Sequence, residues 1–335
     1  MNEDALVAAL RAIVEAPAPR GKPEPRGVVL GIGDDAAVWQ PSRSHLAVIT
    51  TDALVDGVHF LAQAMDPAAI GHRALACNLS DVAAMGARPL LATVALGVPS
   101  ETSEAWILNC YRGMAALAAE HGTRIVGGDI VRAPALMLSL TVVGEVSRSR
   151  LRRRAAGRPG DVIAVTGALG LSRAGLELTR RPTLAVGAPA RGAALAAFAT
   201  PQPRVREGRW LATSAGVHAM MDLSDGLSTD LGRLVKAAAC GAVVEVIPVH
   251  PLARAVAGVA GAAAERYALD GGEDFELLLS VAPRAFSHLA RRFEERFGRG
   301  LLAIGRLENE AGVRLSQGGA LQDLAPTGYD HLAGR

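Results

Sequence analysis

Eight aspartates stand beside glycine, serine or threonine in short motifs that interrupt apolar runs. Asp34 and Asp35 fall in GIGDDAAV, Asp52 in VITTDALVDGVHF, Asp81 in NLSDVAAMGARP and Asp129 in VGGDIVRAP; Asp222 and Asp225 share MDLSDGLSTDL, and Asp274 lies in DGGEDFELL. Any one of them alone reads as a helix cap or a turn former. Together they abut strongly apolar segments, which places them at core edges, and the repeated glycines point to close backbone approach. If the carboxylates converge, their charges repel and raise one another's pKa values. A hard divalent cation relieves that repulsion, and Mg²⁺ takes oxygen ligands, a few carboxylates completed by water and substrate phosphates. An acidic pocket of this kind holds ATP through bridging Mg²⁺, which neutralises charge on a phosphoryl group in transfer.

The usual frames for that chemistry are missing. No GxxxxGK[ST] loop is present, nor the Gly-rich loop, HRD and DFG set of protein kinases, so ATP chemistry here needs another fold. GxSxG and HExxH are absent as well.

The elements that must position the aspartates are short β-type runs alternating with helical patterns. Strands are expected at His45–Thr50, Thr123–Val126, Leu136–Val146, Asp161–Thr166, Ala242–Val249 and Phe275–Val281. Asp66-Pro67 opens a helix running to about Asn78, Ser100 caps one that Gly122 ends, and Leu227–Cys240 forms a third, stopped by Gly241. The mixture predicts an α/β (α+β) protein. Ser147–Gly160, SRSRLRRRAAGRPG, is the expected linker between a domain over residues 1–146 and another over 161–335. Its arginines Arg148, Arg150, Arg152 and Arg153 read as a solvated face. Asp81 precedes GGD, and Asp225 precedes GGED, by equal intervals, but the surrounding residues do not match, which weighs against a duplicated half.

A chain of 335 residues suits two domains of roughly 100–200 residues each. Aromatic residues make up only 4%, so alanine must do much of the packing. The formal charge of +2 creates no field that would mark a nucleic-acid binder. Cys77, Cys110 and Cys240 lack metal-site spacing and fit a reduced compartment. MNEDALVAALRAIV reads as an amphipathic helix and not a signal peptide, and no apolar run approaches the ~18 residues of a membrane span. The expectation is a cytoplasmic protein without membrane or nucleic-acid partners.

GIGDDAAV, TTDALVDGVHF, ALACNLSDVAAMGARP, VGGDIVRAP, MDLSDGLSTDLG, ALDGGEDFELL and GYDHL stand in the order found in the thiamine-monophosphate kinase family. The resemblance runs from about Gly31 to Leu332. It implies the two-domain aminoimidazole-ribonucleotide-synthetase-like fold, with an N-terminal sheet domain that forms a homodimer, a C-terminal α/β domain, and nucleotide and metals in a cleft between them. The implied reaction is direct in-line transfer from ATP to thiamine monophosphate, giving thiamine diphosphate. Selenophosphate synthetases share the superfamily but use a cysteine near the N-terminus, whereas Cys77 is the first cysteine here.

The resemblance also implies roles at matching positions. Asp34, Asp35, Thr50, Thr51, Asp52, Asp81, Asp129, Asp222 and Asp225 are similar to ligands of several Mg²⁺ ions. Gly128, Asp129, Arg154, Ser224 and Tyr111 match nucleotide contacts, and His59 and Glu273 match contacts to thiamine phosphate. Asp52, Asp225 and Arg154 carry the catalytic expectation. Pro326 stands where family members commonly place an aromatic residue for thiamine, so a flat apolar face remains there but stacking is lost.

Overall fold

The computed structural model describes residues 3–15, 27–30 and 38–328. Asp34 and Asp35 lie outside the described residues. The chain divides into two compact units, Met1–Val82 with Ala87–Ser149, and Ala83–Gly86 with Arg150–Arg335.

The first unit runs α1 (Glu3–Val14), β1 (Val28–Leu30), β2 (Val38–Trp39), β3 (Leu46–Val55), α2 (Pro67–Ala84), β4 (Arg88–Val98), α3 (Glu104–His121), β5 (Arg124–Arg132) and β6 (Met137–Val146). Four strands form a sheet in the order β3-β6-β4-β5, antiparallel except for the β4–β5 pair. Leu138, Leu140 and Val142 alternate inward along β6. On that same face a Cβ at Gly144 would meet the Val82 side chain of α2 at 3.0 Å, which marks the face that α2 covers. The other face is only partly covered: Val28 and Trp39 of β1 and β2 pack against Leu91, Val126 and Val143, while Ile49 69%, Val131 47% and Met137 36% stay exposed.

Asp66 caps α2 as expected, its Oδ1 accepting the Ala68 N–H at 2.8 Å. The helix continues six residues past the predicted end at Asn78, because nothing before Gly86 breaks it; Asp81 therefore lies inside a helix. The cap of α3 is Ser103, not Ser100: the Ser103 side chain accepts the Trp106 N–H. Gly122 ends α3 in the left-handed region, as its position predicted.

The second unit opens with a 3₁₀ turn (Arg154–Ala156) and runs β7 (Val162–Val165), α4 (Leu171–Arg180), α5 (Ala188–Ala199), α6 (Val205–Leu211), β8 (Val217–Asp222), α7 (Leu227–Ala238), β9 (Gly241–Val244), α8 (Pro251–Ala260), α9 (Ala264–Asp270), β10 (Leu277–Val281), α10 (Pro283–Phe297), β11 (Leu302–Glu308), β12 (Gly312–Gln317) and β13 (Ala320–Asp323). The seven strands order as β13-β12-β9-β11-β7-β10-β8, with only β12 and β9 parallel. Leu227, Leu231, Leu234 and Val235 of α7 pack with Ile163, Met221 and Leu278 of the strands. A second cluster is built on Ala174, Ala190, Ala194, Ala253, Ala257 and Ala264, the alanine packing that the scarcity of aromatics required. α7 ends at Ala239, itself in the left-handed region, so Gly241 does not stop the helix but begins β9. Among the described residues no helix is long and apolar enough to cross a membrane.

Candidate active-site residues

In the first unit β3 is an edge strand, with Thr50 opposite Val142, Thr51 opposite Thr141 and Asp52 opposite Leu140. The two-residue period turns Thr50 and Asp52 to the face covered by α2, and Thr51 to the partly covered face. Thr50 Oγ1 donates to Asp81 Oδ2 at 2.5 Å, so β3 and α2 bring a hydroxyl and a carboxylate together. Thr51 instead bonds within the sheet, donating to the Leu140 carbonyl at 3.0 Å and accepting from Thr141 Oγ1 at 3.1 Å.

Asp129 falls in the cross-sheet row Ala53–Ser139–Ala95–Asp129, whereas Asp52 falls in the neighbouring row Asp52–Leu140–Val94–Gly128. Adjacent rows point to opposite faces, so the register sets Asp129 on the partly covered face, away from Asp52 and Thr50. Gly128 has a purely structural reason to be glycine: a Cβ there would lie 2.0 Å from the Val94 carbonyl oxygen. Tyr111 is 4% exposed, on the core face of α3, where burial pushes its phenol well above the usual range. The neighbouring Cys110 thiol is pushed up to about 12 by burial.

His59 sits, half-buried, in the turn after β3. The Val55 N–H donates to His59 Nδ1 at 3.1 Å. With Nδ1 accepting, the neutral ring carries its proton on Nε2 and offers a donor there.

In the second unit the candidates draw together. Asp222 ends β8 and is 2% exposed. Ser224 and Asp225 follow in the loop leading into α7. Asp230, fully buried one turn into that helix, ties the loop down: its Oδ2 accepts the N–H groups of Ser224 at 3.0 Å and Asp225 at 2.9 Å. Burial pushes Asp230 up to about 6. Arg233 donates to Asp230 Oδ1 at 2.8 Å and also pairs with Asp225. Asp230 was not singled out from the sequence; its signal is a carboxylate one turn into a helix that an aspartate-rich loop precedes.

The DGGEDFE loop lies against this one. The Glu273 N–H donates to the Ser224 carbonyl at 2.8 Å and the Phe275 N–H to the Leu223 carbonyl at 3.0 Å. A Cβ at Gly272 would lie 2.4 Å from the Ser224 oxygen, so only glycine admits this contact. The C-terminal segment reaches the same place: the Thr327 N–H donates to Ser228 Oγ, the Gly328 N–H to Thr229 Oγ1, and a Cβ at Gly328 would lie 2.0 Å from the Asp225 carbonyl oxygen. Ser224, Asp225, Glu273 and the exposed Pro326 thus belong to three segments held together at the start of α7.

Arg154 is exposed on the 3₁₀ turn. Arg152 departs from the expected solvated face: it is 8% exposed and donates from Nη2 to the carbonyls of Ala212 at 2.7 Å and Ser214 at 2.9 Å. Those acceptors lie just past the end of α6 and anchor the arginine-rich run that carries Arg154.

Asp274 is used elsewhere. Its carboxylate accepts the N–H groups of Gly170 at 2.5 Å and Ser172 at 3.1 Å, capping α4. Burial pushes it up to about 7. Beside it, Glu276 receives Arg204 through Nε at 3.1 Å and Nη2 at 2.8 Å, Arg299 at 2.5 Å and the Thr166 hydroxyl at 2.6 Å. Burial alone would raise Glu276, but the two guanidiniums hold it below the usual carboxylate range. Asp274, Glu276, Arg204 and Arg299 line a cavity of about 490 Å³ together with residues of α4, α5 and α8. Arg204 and Arg299 are matched to Glu276, and Asp274 to backbone N–H groups, so the cavity reads as a brace.

Among the described residues no three His, Cys, Asp or Glu side chains gather as a metal cage. Mg²⁺ does not require one, since one or two carboxylates with substrate phosphates and water suffice. The oxygen donors Thr50, Asp52 and Asp81 of the first unit are of the type a hard cation takes, as are Asp222 and Asp225 considered separately in the second.

The comparisons decide the family. The AIR synthase related protein N-terminal domain matches residues 33–146, and the corresponding C-terminal domain matches residues 158–316. The thiamine-monophosphate kinase of Synechococcus elongatus is 37% identical over 307 residues, covering 90% of this chain and 91% of that protein. The chain belongs to the thiamine-monophosphate kinase family. The family's Stenotrophomonas maltophilia K279a crystal structure aligns with a TM-score of 0.82 at 36% identity, covering 96% of this chain and 98% of that one. A structure of AaThiL complexed with AMPPCP and TMP aligns with a TM-score of 0.76 at 28% identity, covering 98% and 96%. The thiamine-monophosphate kinase fold, two AIR-synthase-type domains of mixed helix and sheet, is therefore the fold of this chain.

Proposed function

We propose that the chain transfers the terminal phosphoryl group of ATP to thiamine monophosphate, giving ADP and thiamine diphosphate. The observation that carries this reading is the match to a thiamine-monophosphate kinase along nine-tenths of both chains. AaThiL complexed with AMPPCP, an ATP analogue, and TMP supports the same pair of substrates.

Mg²⁺, when bound, would supply neutralising charge to the phosphates. Asp52, Asp81 and Thr50 in the first unit and Asp222 and Asp225 in the second would hold the ions, with Asp34, Asp35, Thr51 and Asp129 as further candidates. The acceptor is already an ionised phosphate, so no strong general base is needed, and catalysis rests on positioning. His59 offers Nε2–H to a phosphate oxygen of the acceptor. Glu273 faces the cationic thiamine, for which Pro326 supplies an apolar surface without stacking. Arg154 forks onto nucleotide phosphate oxygens, and Ser224 donates its hydroxyl. Gly128 and Tyr111 remain nucleotide candidates, Gly128 through its backbone.

We assign residues 1–146 to a nucleotide, metal and dimerisation domain, 147–160 to a connecting segment and 161–335 to an α/β domain, in a cytoplasmic homodimer. The partly covered face of the first unit's sheet supports the dimer: Ile49, Val131 and Met137 are exposed, and a cavity of about 420 Å³ lies over Leu91, Thr93, Thr141 and Val143. A second copy would cover this apolar surface. Incubation with MgATP and thiamine monophosphate, followed by chromatography, tests the reaction. Thiamine diphosphate with matching ADP is the expected product; ATP binding without it would replace the kinase reading with a regulatory one.

A further inference from the structure

We propose that Arg233 competes with Mg²⁺ for the Asp225 carboxylate and so sets the Mg²⁺ concentration at which that carboxylate takes its metal, an inference that rests on the reading of Asp225 as a metal ligand. Arg233 stands on α7. Its Nη1 donates to Asp230 Oδ1 at 2.8 Å and also to Asp225 Oδ2. One guanidinium nitrogen thus serves two carboxylates. The contact to Asp225 is made at a side-chain oxygen, the donor that a hard cation takes.

A guanidinium stays charged throughout the ordinary pH range. A carboxylate oxygen that holds one cannot accept a divalent ion at the same place without bringing like charges together. Metal binding at Asp225 therefore requires Arg233 to move away, and the strength of the ion pair opposes the strength of the metal bond.

The two acceptors of Arg233 are not equivalent. The Asp230 side chain is 0% exposed and lies one turn earlier on the same helix. Its other oxygen holds the N–H groups of Ser224 at 3.0 Å and Asp225 at 2.9 Å, so Asp230 is a fixed post. The backbone of Asp225 is held too. A Cβ at Gly328 would lie 2.0 Å from the Asp225 carbonyl oxygen, and Gly226, at φ +100°, would place a Cβ 2.7 Å from the Leu269 carbonyl oxygen. The part that can move is the Arg233 side chain, which is 44% exposed. Released from Asp225, it keeps Asp230 and meets water, so the exchange leaves no buried charge unpaired.

A role confined to bracing the loop makes the opposite demand. Removing Arg233 would then slacken the Ser224–Asp225 turn and weaken metal binding, whereas removing a competitor strengthens it. The sign of the change separates the two.

The full-length protein is titrated with Mg²⁺ beside a non-hydrolysable ATP analogue, and the melting temperature is read at each concentration. R233Q removes the charge and keeps a donor for Asp230. Its midpoint should fall about two- to fivefold, the strength of a partly exposed ion pair. R233K keeps the charge and should stay near wild type. D225N should move the midpoint to higher Mg²⁺, and R233Q should add no change in the D225N background, because the contested carboxylate is gone. The gap between wild type and R233Q should narrow as KCl is raised, since salt screens the pair. A midpoint that rises or stays in place in R233Q, or that falls equally with and without D225N, would overturn the proposal. An unshifted midpoint in D225N removes Asp225 from the metal set and the competition with it. Absence of thiamine diphosphate from a protein that shows these shifts sinks the kinase reading instead and leaves the competition standing.

Discussion

The Glu273 N–H is bonded to the Ser224 carbonyl at 2.8 Å, so two loops nearly fifty residues apart are held as one piece. Gly272 permits it, since a Cβ there would stand 2.4 Å from that same oxygen. G272A should push the loops apart and displace Ser224, Asp225 and Glu273 together. A displacement near 1 Å costs on the order of a hundredfold in turnover, whereas local overpacking costs about 1–3 kcal/mol of stability. Kinetics beside a denaturation curve separate the two effects; undiminished kcat/KM would show that the contact does not shape the site.

Glu276 meets Arg204 and Arg299 with its carboxylate 6% exposed and the guanidinium side chains 21% and 25% exposed. E276Q leaves two positive charges facing a neutral amide. Breaking a fully buried pair costs about 3–5 kcal/mol; with both arginines partly reaching water, about 2–3 kcal/mol is expected. Urea denaturation measures it, and an unchanged midpoint would mean that the arginines find other acceptors.

What the sequence made legible were signals confined to a few residues. Asp66-Pro67 opens α2, Gly122 closes α3, and the alternation of Leu138, Leu140 and Val142 defines β6, each because one turn or one strand contains the whole cause. β4 carries no such signal, because its RPLLATVALGV run has a proline as its second residue and lacks clean alternation. α7 is shorter than the expected Leu227–Cys240 because Ala239, not glycine, takes the left-handed position at its end. In the candidate site, the motifs named the residues, but neither the face nor the partner of each could be read from them. The opposite faces of Asp52 and Asp129 follow from strand register. The Arg204–Glu276 pair spans 72 residues, beyond the reach of any local pattern.

Asp274 gives a pH test with a definite sign. Burial raises its carboxyl from an ordinary value of 3.8 to about 7, so the folded chain holds that proton more tightly than the unfolded chain does. Stability rises with pH only where the unfolded state binds more protons, and here the folded state binds more. The contribution of Asp274 is therefore full below the unfolded value and is lost as pH rises to about 7. Asp230, raised to about 6, titrates in the same window but is common to wild type and D274N, so it cancels in their difference. Unfolding free energies at pH 5 and pH 8 should fall more steeply for wild type than for D274N. Parallel slopes would show that the carboxylate is ionised throughout.

The same separation of fold from chemistry applies to Asp52 and Asp225. Asp225 is not needed to shape its own loop, because the N–H groups of Ser224 and Asp225 are held by Asp230, and Arg233 keeps its bond to Asp230 when Asp225 is neutralised. Asp52 lies on an edge strand whose register is set by ten backbone partners from Leu46 to Val55, none of which the side chain supplies. D52N and D225N should therefore melt close to wild type, within about 1 kcal/mol. Both should lose at least about a hundredfold in turnover at saturating nucleotide, the minimum expected when a direct metal ligand is removed, since even outer partners cost 10–100-fold. Titration of Mg²⁺ against the melting temperature with ATP present supplies a readout independent of turnover: the midpoint should move to higher Mg²⁺ in each variant. Wild-type turnover with an unshifted midpoint in both would remove these two carboxylates from the proposed metal set.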